Sequence, residues 1–366
     1  MADPDDERIM EEALALAQRA AGRTSPNPMV GAIVVADGQV VGRGFHPRAG
    51  EAHAEVIALQ EAGERARDAT LYVTLEPCAH VGRTEPCTEA LLAAGVRRVV
   101  AAMIDPDPKV NGKGIARLRE AAVTVEVGVL EARARRVNEF YIKHRRTGLP
   151  FVTLKWAMSL DGKIGADRGM ETAISGAEAL RYVHELRNIY DAVLVGVQTV
   201  LADDPQLTCR LPGSRDPMRV IVDSRLRTPL AARMLTGGSP AQTLVATTAA
   251  APLERIEALR RAGAEVLVQE RAGQRVILRS LFEELARRGV LSILIEGGGT
   301  VNASALAEGV VDKVIACIAP RLIGGAQAPT PVEGAGLAQL ARAVRLRAVQ
   351  VRHLGEDFAI EGYVAA

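Results

Sequence analysis

The chain has 366 residues, a length beyond that at which single hydrophobic cores usually stop growing, so two domains are predicted. Hydrophobic residues make up 48% of the sequence and charged residues 24%, which excludes a disordered, collagenous or fibrous chain. The 45 basic and 44 acidic side chains leave a formal charge of +1, so no overall field attracts nucleic acid or anionic membranes. The acidic first residues and the lack of a long apolar stretch predict a cytoplasmic protein without a membrane partner.

The first half of the chain alternates predicted helices and strands. Apolar residues at helical spacing between Ile9 and Ala17 predict an amphipathic helix that ends near Gly22. A turn at Asp37-Gly38 joins two predicted strands into a hairpin. After it come a helix at 52–62, a strand at 71–75, a helix at 88–94, a strand at 98–103, a helix at 115–121 and a strand at 123–127. This order favours an α/β sandwich with helices on its faces.

A basic segment, residues 131–146, separates two such patterns, and we place the domain boundary at its end, giving domains 1–147 and 148–366. Its basic side chains suit either a bound phosphate or a solvated helix face leading into a linker, and the pattern favours the solvated face. In the second half, strands are predicted at 152–157, 192–195, 220–222, 244–246 and 293–295. Two further strands, at 345–352 and 358–364, predict an antiparallel edge.

Four residues of the first half match a catalytic zinc centre. His53 and Glu55 begin a predicted helix, Cys78 follows a strand, and Cys87 comes eight residues later, whereas nucleobase deaminases have two residues between these cysteines. One imidazole and two thiolates leave a fourth zinc position for water, as in catalytic sites. Glu55 can carry a proton between that water and a leaving amine, so the set predicts hydrolytic deamination. A core histidine and inert buried thiols explain each residue singly but explain the combination poorly.

The first half also resembles the deaminase half of the bifunctional riboflavin-biosynthesis deaminase/reductase family. The matching strings are Thr24-Ser25-Pro26-Asn27-Pro28, Val30-Gly31, His53-Ala54-Glu55, residues 77–87 with Gly82-Arg83-Thr84, and Asn111-Gly112-Lys113-Gly114. The resemblance implies a cytidine-deaminase-like three-layer α/β/α domain, with zinc held by His53, Cys78 and Cys87 and Glu55 as the proton donor. Its implied substrate is a diaminopyrimidinone that carries a phosphoribosylamino group and loses a ring amine as ammonia. Asn27, His46 and His80 are either turn residues or substrate contacts.

Three runs of the second half suit a nucleotide cofactor. They are residues 155–164, residues 193–208 and Glu296-Gly297-Gly298-Gly299-Thr300. The last run follows a predicted strand and opens a helix, where backbone amides can approach a phosphate. Glycine-rich turns are common, so this run alone does not identify a dinucleotide site.

In this order the three runs resemble the reductase half of the same family, so the resemblance covers essentially the whole chain. It implies a dihydrofolate-reductase-like α/β domain that reduces the ribosyl group to a ribityl chain with NADPH. The implied nucleotide-binding residues are Ala157, Thr199, Asp203, Ser224, Gly298, Gly299 and Thr300. The implied substrate-binding residues are Arg187, Leu207, Arg210 and Glu296. A guanidinium suits a ribose phosphate, although either arginine is also explained as ordinary surface charge.

Two other functions are compatible with these patterns. A nucleic-acid base deaminase would share the zinc motif, but the balanced charge and 3% aromatic residues oppose it. An active deaminase with a degenerate, structural second domain is permitted by residues 170–173, described next. Family likeness is the one reason to expect a homo-oligomer.

Residues 170–173 depart from the family pattern, which usually has a serine and then a tryptophan before Ile174. Ala173 cannot stack on a cofactor ring, and Glu171, at the substrate-binding position, would repel a substrate phosphate that it faced. We therefore predict weaker binding of NADPH or substrate than in a serine/tryptophan version. The double substitution Glu171→Ser with Ala173→Trp should tighten binding, measured as lower KM values, and unchanged kinetics would contradict this placement of the segment.

Overall fold

The structure is a computed structural model, and it describes residues 3–79, 85–167, 173–269, 274–336 and 339–365. The chain divides into two units, Met1–Leu149 and Pro150–Ala366, so the division lies two residues beyond the end of the predicted first domain. Among the described helices, none combines the length and the apolar character of a membrane-spanning segment.

The first unit contains a five-stranded sheet. Its strands are β1 (Gly31–Ala36), β2 (Gln39–Phe45), β3 (Thr70–Val73), β4 (Arg98–Ala101) and β5 (Thr124–Val127). Its helices are α1 (Pro4–Gln18), α2 (Ala54–Ala62), α3 (Cys87–Ala93), α4 (Lys113–Glu120), α5 (Glu131–Val137) and α6 (Glu139–Thr147), with a short 3-10 turn at Gly63–Ala66. The strand order is β2-β1-β3-β4-β5, in which β1 and β2 form the predicted antiparallel hairpin and β3, β4 and β5 run parallel.

Alternate residues of each strand face two apolar cores, one on either side of this sheet. Ala32 and Val34 lie in the core that includes residues of α2, α3 and α4. Ile33, between them, lies in the core formed with α1 and α5. The unit is therefore a three-layer α/β/α sandwich, and the predicted architecture is confirmed.

Helix α2 packs closely on β2 because two glycines leave space for its backbone. A Cβ atom on Gly42 would lie 2.1 Å from the carbonyl oxygen of Ala58, and one on Gly44 would lie 2.2 Å from that of Ala54. Neither position can carry a side chain without moving the helix. Gly44 thus determines where the first turn of α2 lies, and that turn carries Glu55.

A buried carboxylate ties α1 to the sheet. Asp6 is 3% exposed and accepts hydrogen bonds of 2.6 Å each from the Tyr72 hydroxyl and from Nη2 of Arg98. Arg98 also donates to Glu126 on β5, at 2.9 Å. These bonds, first of all the one from Arg98, hold the pKa of the Asp6 carboxyl below its usual value.

The second unit contains a nine-stranded sheet. Its strands are β6 (Phe151–Ser159), β7 (Ala192–Gly196), β8 (Met218–Val222), β9 (Thr243–Thr248), β10 (Glu265–Gln269), β11 (Ser292–Ile295), β12 (Lys313–Ala319), β13 (Leu346–Leu354) and β14 (Asp357–Val364). Its helices are α7 (Ala177–Ile189), α8 (Val197–Asp203), α9 (Arg233–Thr236), α10 (Leu253–Arg261), α11 (Leu278–Arg287) and α12 (Gly299–Ala307), with a 3-10 turn at Leu340–Arg342.

The strand order of this sheet is β10-β9-β8-β7-β11-β6-β12-β14-β13. The strands from β10 to β12 in this order run parallel, whereas β14 and β13 are antiparallel, so the predicted antiparallel edge is confirmed. Strands β10 and β12 were not predicted. β12 is mostly buried, and a short apolar run buried on both faces has no periodicity that separates a strand from a buried helix.

An Asp6→Asn variant should lower the free energy of unfolding at neutral pH by about 1.5 to 3 kcal/mol, the usual contribution of hydrogen bonds to a charged group. Because the pKa of Asp6 is lowered by folding, its contribution is complete above the usual aspartate pKa and is lost as the pH falls through the folded-state value. Urea unfolding at neutral pH and at about pH 2 measures this. Asp5→Asn, at an exposed neighbour, is the control, and a difference that persists in acid would contradict the assignment.

Candidate functional site

Three predicted metal ligands from separate elements meet in the first unit. His53 precedes α2, Cys78 follows β3 and Cys87 is the first residue of α3. Nδ1 of His53 lies 3.1 Å from Sγ of Cys87 and 3.6 Å from Sγ of Cys78, and the three ligand atoms all lie within 4.8 Å of one another. Such separations suit ligands placed about 2.0 to 2.3 Å from a zinc ion.

Backbone hydrogen bonds hold the two cysteines together. The N–H of Cys87 donates to Sγ of Cys78 at 3.4 Å, and the N–H of Thr88 donates to the Cys78 carbonyl oxygen at 3.2 Å. The start of α3 is therefore tied to the chain that follows β3, whatever the conformation of the loop between the cysteines.

The pKa values of the two thiols and the imidazole are shifted by their close contact. A hydrogen bond from Cys87 lowers the pKa of the Cys78 thiol to about 4, and the same bond, together with burial, raises the pKa of Cys87. The pKa of His53 is raised, chiefly by its hydrogen bond with Cys78. Both cysteines are free of disulfides, and a bound cation would hold both sulfurs as thiolates. One imidazole with two thiolates is a donor set that fits zinc.

Glu55 lies beside this cluster, in the first turn of α2. Its side chain is 4% exposed and lines the same cavity as His53 and Cys78. Burial raises the pKa of its carboxyl group. A carboxyl group with a raised pKa can hold and release a proton closer to neutral pH, which is the property required of a general acid or base.

The cavity has a volume of about 190 Å³, and Asn27 and His46 line it. Nδ1 of His46 donates to the Ala52 carbonyl oxygen at 3.0 Å, so Nε2 accepts from the Asn27 amide at 3.1 Å. Burial lowers the pKa of His46, which agrees with this neutral tautomer. The predicted contact Asn27 therefore faces the site with its amide oriented by His46, whereas His80 lies outside the described residues.

Glu76, also in the cavity lining, was missed by the sequence interpretation. Its buried carboxylate accepts backbone N–H bonds from Gly112 and Gly114 at 2.8 Å each and from Asp105 at 3.1 Å. A Cβ on Gly114 would lie 1.9 Å from the Pro77 carbonyl oxygen, so α4 packs directly against the segment that carries Cys78. The signal available in the sequence was a charged residue between a buried strand and Pro77-Cys78.

Part of the basic segment 131–146 also lines the cavity. Tyr141, on α6, is buried and donates to Oδ1 of Asp105 at 3.0 Å. The guanidinium carbon of Arg145 lies 5.0 Å from the centre of the Tyr141 ring. The favoured interpretation of the basic side chains as a solvated helix face is therefore wrong for Arg145, which lines the cavity. The spacing of four residues between Tyr141 and Arg145, which places them on one side of a helix, was the signal.

In the second unit, the predicted cofactor residues lie along one edge of the sheet. Ala157 lies near the end of β6, Thr199 follows β7, Ser224 follows β8 and Gly298 follows β11. These four strands are adjacent and parallel, so their carboxyl ends share the edge at which open α/β sheets bind ligands. The remaining predicted cofactor residues are Asp203 at the end of α8 and Gly299 and Thr300 at the start of α12.

The glycine-rich turn lies beside Thr199. Gly297 and Gly298 have φ values of 138° and 87°, which residues with side chains rarely adopt. A Cβ on Gly298 would lie 3.5 Å from Oγ1 of Thr199. Thr300, in the first turn of α12, donates to Oε2 of Glu333 at 3.3 Å.

Arg187 and Glu296, two predicted substrate residues, form a buried ion pair. Nε and Nη2 of Arg187 donate to the two carboxylate oxygens of Glu296 at 2.7 Å each, and Nη1 donates to the Thr208 carbonyl oxygen at 3.1 Å. The two side chains are 12% and 6% exposed, so Arg187 is not an ordinary surface charge. Burial alone would raise the pKa of the Glu296 carboxyl group, but the neighbouring Arg187 holds this pKa below its usual value.

The other predicted substrate residues differ in exposure. Leu207 is buried in the segment that Arg187 contacts through Thr208, whereas the side chain of Arg210 is exposed. Glu171 lies outside the described residues. Ala173 is exposed, and its carbonyl oxygen accepts from Nη1 of Arg321 at 3.3 Å. The expected effect of residues 170–173 on binding stays a prediction.

Comparison with known proteins accounts for both units. Residues 3–103 match the family model of the cytidine and deoxycytidylate deaminase zinc-binding region. Residues 150–360, more than half of the chain, match the model of the RibD C-terminal domain. The riboflavin biosynthesis protein RibD of Synechocystis sp. is 43% identical over 98% of this chain and 96% of its own length.

Solved structures give the same answer. Acinetobacter baumannii RibD is 39% identical, with 99% of each chain covered and a TM-score of 0.89. A Thermotoga maritima protein described as a diaminohydroxyphosphoribosylaminopyrimidine deaminase/5-amino-6-(5-phosphoribosylamino)uracil reductase is 36% identical, with 99% of each chain covered and a TM-score of 0.87.

These matches confirm the cytidine-deaminase-like and dihydrofolate-reductase-like α/β folds. They also confirm zinc and NADPH as the cofactors, since the zinc-binding deaminase domain and the NADPH-dependent type of reductase domain are both present. The chain therefore belongs to the RibD family, and it is a bifunctional deaminase and reductase of riboflavin biosynthesis.

Proposed function

We propose that the first unit deaminates 2,5-diamino-6-(5-phosphoribosylamino)pyrimidin-4-one to 5-amino-6-(5-phosphoribosylamino)uracil, and that the second unit reduces the ribosyl group of this product to ribityl. The description of the Thermotoga maritima relative supports this substrate class. The observation that carries the proposal is the cluster of His53, Cys78 and Cys87 beside the buried Glu55, all lining or adjoining one small cavity.

In the deamination, His53, Cys78 and Cys87 would hold zinc, which when bound makes water a potent nucleophile near neutral pH. Glu55 takes a proton from the attacking water and delivers one to the ring amine, which leaves as ammonia. Its burial supports this role, because a carboxyl group with a raised pKa retains the proton until the amine accepts it. Asn27, oriented by His46, presents its amide to the pyrimidine ring.

In the reduction, the protein mainly aligns cofactor and substrate, because the hydride comes from NADPH. Ala157, Thr199, Asp203, Ser224 and the turn from Gly298 to Thr300 would hold NADPH along the edge of the sheet, with a phosphate near the start of α12. Glu296 and Arg210, with Leu207, would bind the substrate, and Arg187 keeps the Glu296 carboxylate ionised and fixed. When bound, NADPH would supply a hydride to C1 of the ribosyl group, while the bond from C1 to the ring oxygen breaks and that oxygen gains a proton.

The cavity opposes the nucleic-acid base deaminase. Its described lining residues include one arginine, Arg145, and no lysine, so the cavity lacks the several basic contacts with which proteins bind a phosphate backbone. Its volume of about 190 Å³ suits one small ring. A small-molecule substrate is therefore the better proposal.

The proposed location is cytoplasmic, because the free thiols of Cys78 and Cys87 need a reducing compartment. We also propose a homo-oligomer. β13 is the outer strand of the second sheet and is largely exposed, with Val349 at 52% and Val351 at 62% exposure. An exposed edge of this length can pair with the same edge of a second copy about a two-fold axis.

Incubation of the zinc-loaded protein with the diaminopyrimidine phosphoriboside and NADPH, followed by mass spectrometry, tests the two-step proposal. We expect a product that is both deaminated and reduced. A product that is only deaminated would support the degenerate second domain instead. Unchanged substrate would exclude the proposed substrate.

A Glu55→Gln variant should slow ammonia release by a factor of about 10² to 10⁴, the usual contribution of a general acid or base. The zinc content of the variant should stay unchanged, because Glu55 is not a proposed zinc ligand. Its rate of NADPH oxidation with the deaminated intermediate should also stay unchanged, because the reduction takes place in the second unit and Glu55 lies in the first. Glu51→Gln, at an exposed position two residues before His53, is the matched control. Loss of zinc in the Glu55 variant would contradict the assigned role.

A further inference from the structure

Arg145 has unused hydrogen-bond donors in the wall of the deaminase cavity. Its Nε is buried and has no hydrogen-bond partner, and it lies 3.5 Å from Oδ2 of Asp107 without a bonding geometry. Within the described part of the chain, no hydrogen bond is formed by the rest of its guanidinium. A guanidinium offers five N–H donors in a planar fork, so this group can accommodate an anion.

The acidic residues around Arg145 explain why an anionic substrate needs this cation in order to bind. Among the lining residues that the structure describes, Arg145 is the one arginine or lysine. Asp105 and Asp107 line the same cavity as carboxylates. Without a cation, this wall would repel a substrate that carries a phosphate.

Neighbouring side chains hold the guanidinium of Arg145 in place. It stacks on the Tyr141 ring, and the Tyr141 hydroxyl donates to Asp105 at 3.0 Å. Its side chain is 32% exposed, whereas Glu55 and Cys87 are buried. Arg145 therefore lies on the solvent side of a cavity too small for a whole phosphoribosylated pyrimidine, since sites for ligands of that size measure about 300 Å³ or more.

We propose that Arg145 binds the phosphate of the deaminase substrate and so selects phosphorylated over unphosphorylated pyrimidine ribosides. This inference rests on the proposed deaminase function. The pyrimidine ring occupies the depth of the cavity beside Glu55, and the phosphate accepts two parallel N–H bonds from the guanidinium at its mouth.

An Arg145→Gln variant tests this with two substrates, the phosphoribosylaminopyrimidine and its dephosphorylated counterpart. For the phosphorylated substrate we expect kcat/KM for ammonia release to fall about 10- to 100-fold, mainly through KM, which is the contribution of charge-assisted hydrogen bonds. The dephosphorylated substrate should react at the wild-type rate. Ribose 5-phosphate should inhibit wild-type deamination competitively and inhibit the variant correspondingly less. Arg145→Lys, which keeps the charge without the fork, should give an intermediate loss.

Arg146→Gln removes the same charge from the exposed neighbouring position of α6 and should behave as wild type. An equal loss for both substrates in Arg145→Gln would show a structural role and overturn the proposal. Full recovery in the double variant Asp107→Asn, Arg145→Gln would show that Arg145 merely neutralises Asp107, and would overturn it as well. A wild-type protein that releases no ammonia from either substrate would instead overturn the proposed deaminase function itself.

Discussion

The deaminase site depends on the close contact between α2 and β2. A side chain at Gly44 would collide with the carbonyl oxygen of Ala54, the first residue of α2, so glycine lets the helix start at the level of the cysteines. His53 and Glu55 flank that residue. The hydrogen bonds from Cys87 and Thr88 to Cys78 then hold the two thiols opposite the imidazole. Backbone packing and backbone hydrogen bonds therefore bring the three proposed ligands together.

Buried carboxylates have different tasks in this protein, and their partners decide which. Glu76 accepts hydrogen bonds from backbone N–H groups and fixes the segments that donate them. Asp6 and Glu296 are paired with arginines, which hold the pKa of each carboxyl group below its usual value. Within the described part of the chain no arginine forms a hydrogen bond or ion pair with Glu55, and burial raises the pKa of Glu55. Buried carboxyl groups therefore have two uses in this protein: most of them fix neighbouring elements through hydrogen bonds, and Glu55 can exchange a proton.

The two units arrange their ligand sites by different geometry. In the first unit the ligands come from the starts of α2 and α3 and from the end of β3, and the wall opposite is supplied by α6. In the second unit the predicted residues follow four adjacent parallel strands, so the sheet itself aligns them. The proposed phosphate contact of Arg145 belongs to the first arrangement, because the basic helix that carries it is packed against the cavity through Tyr141 and Asp105.

The sequence by itself determined the type of chemistry and the local elements: the proposed zinc ligands and Glu55, the hairpin at Asp37-Gly38, the α/β alternation and the antiparallel edge. These depend on residue types and short spacings, which are visible along the chain. Only the tertiary structure decided that Arg187 pairs with Glu296, that Glu76 holds the cavity wall, that Arg145 lines the cavity, and that the apolar run of β12 is a strand. The physical reason is that each of these features depends on a contact with residues distant in sequence. The local sequence around a charged or apolar residue does not identify such a partner.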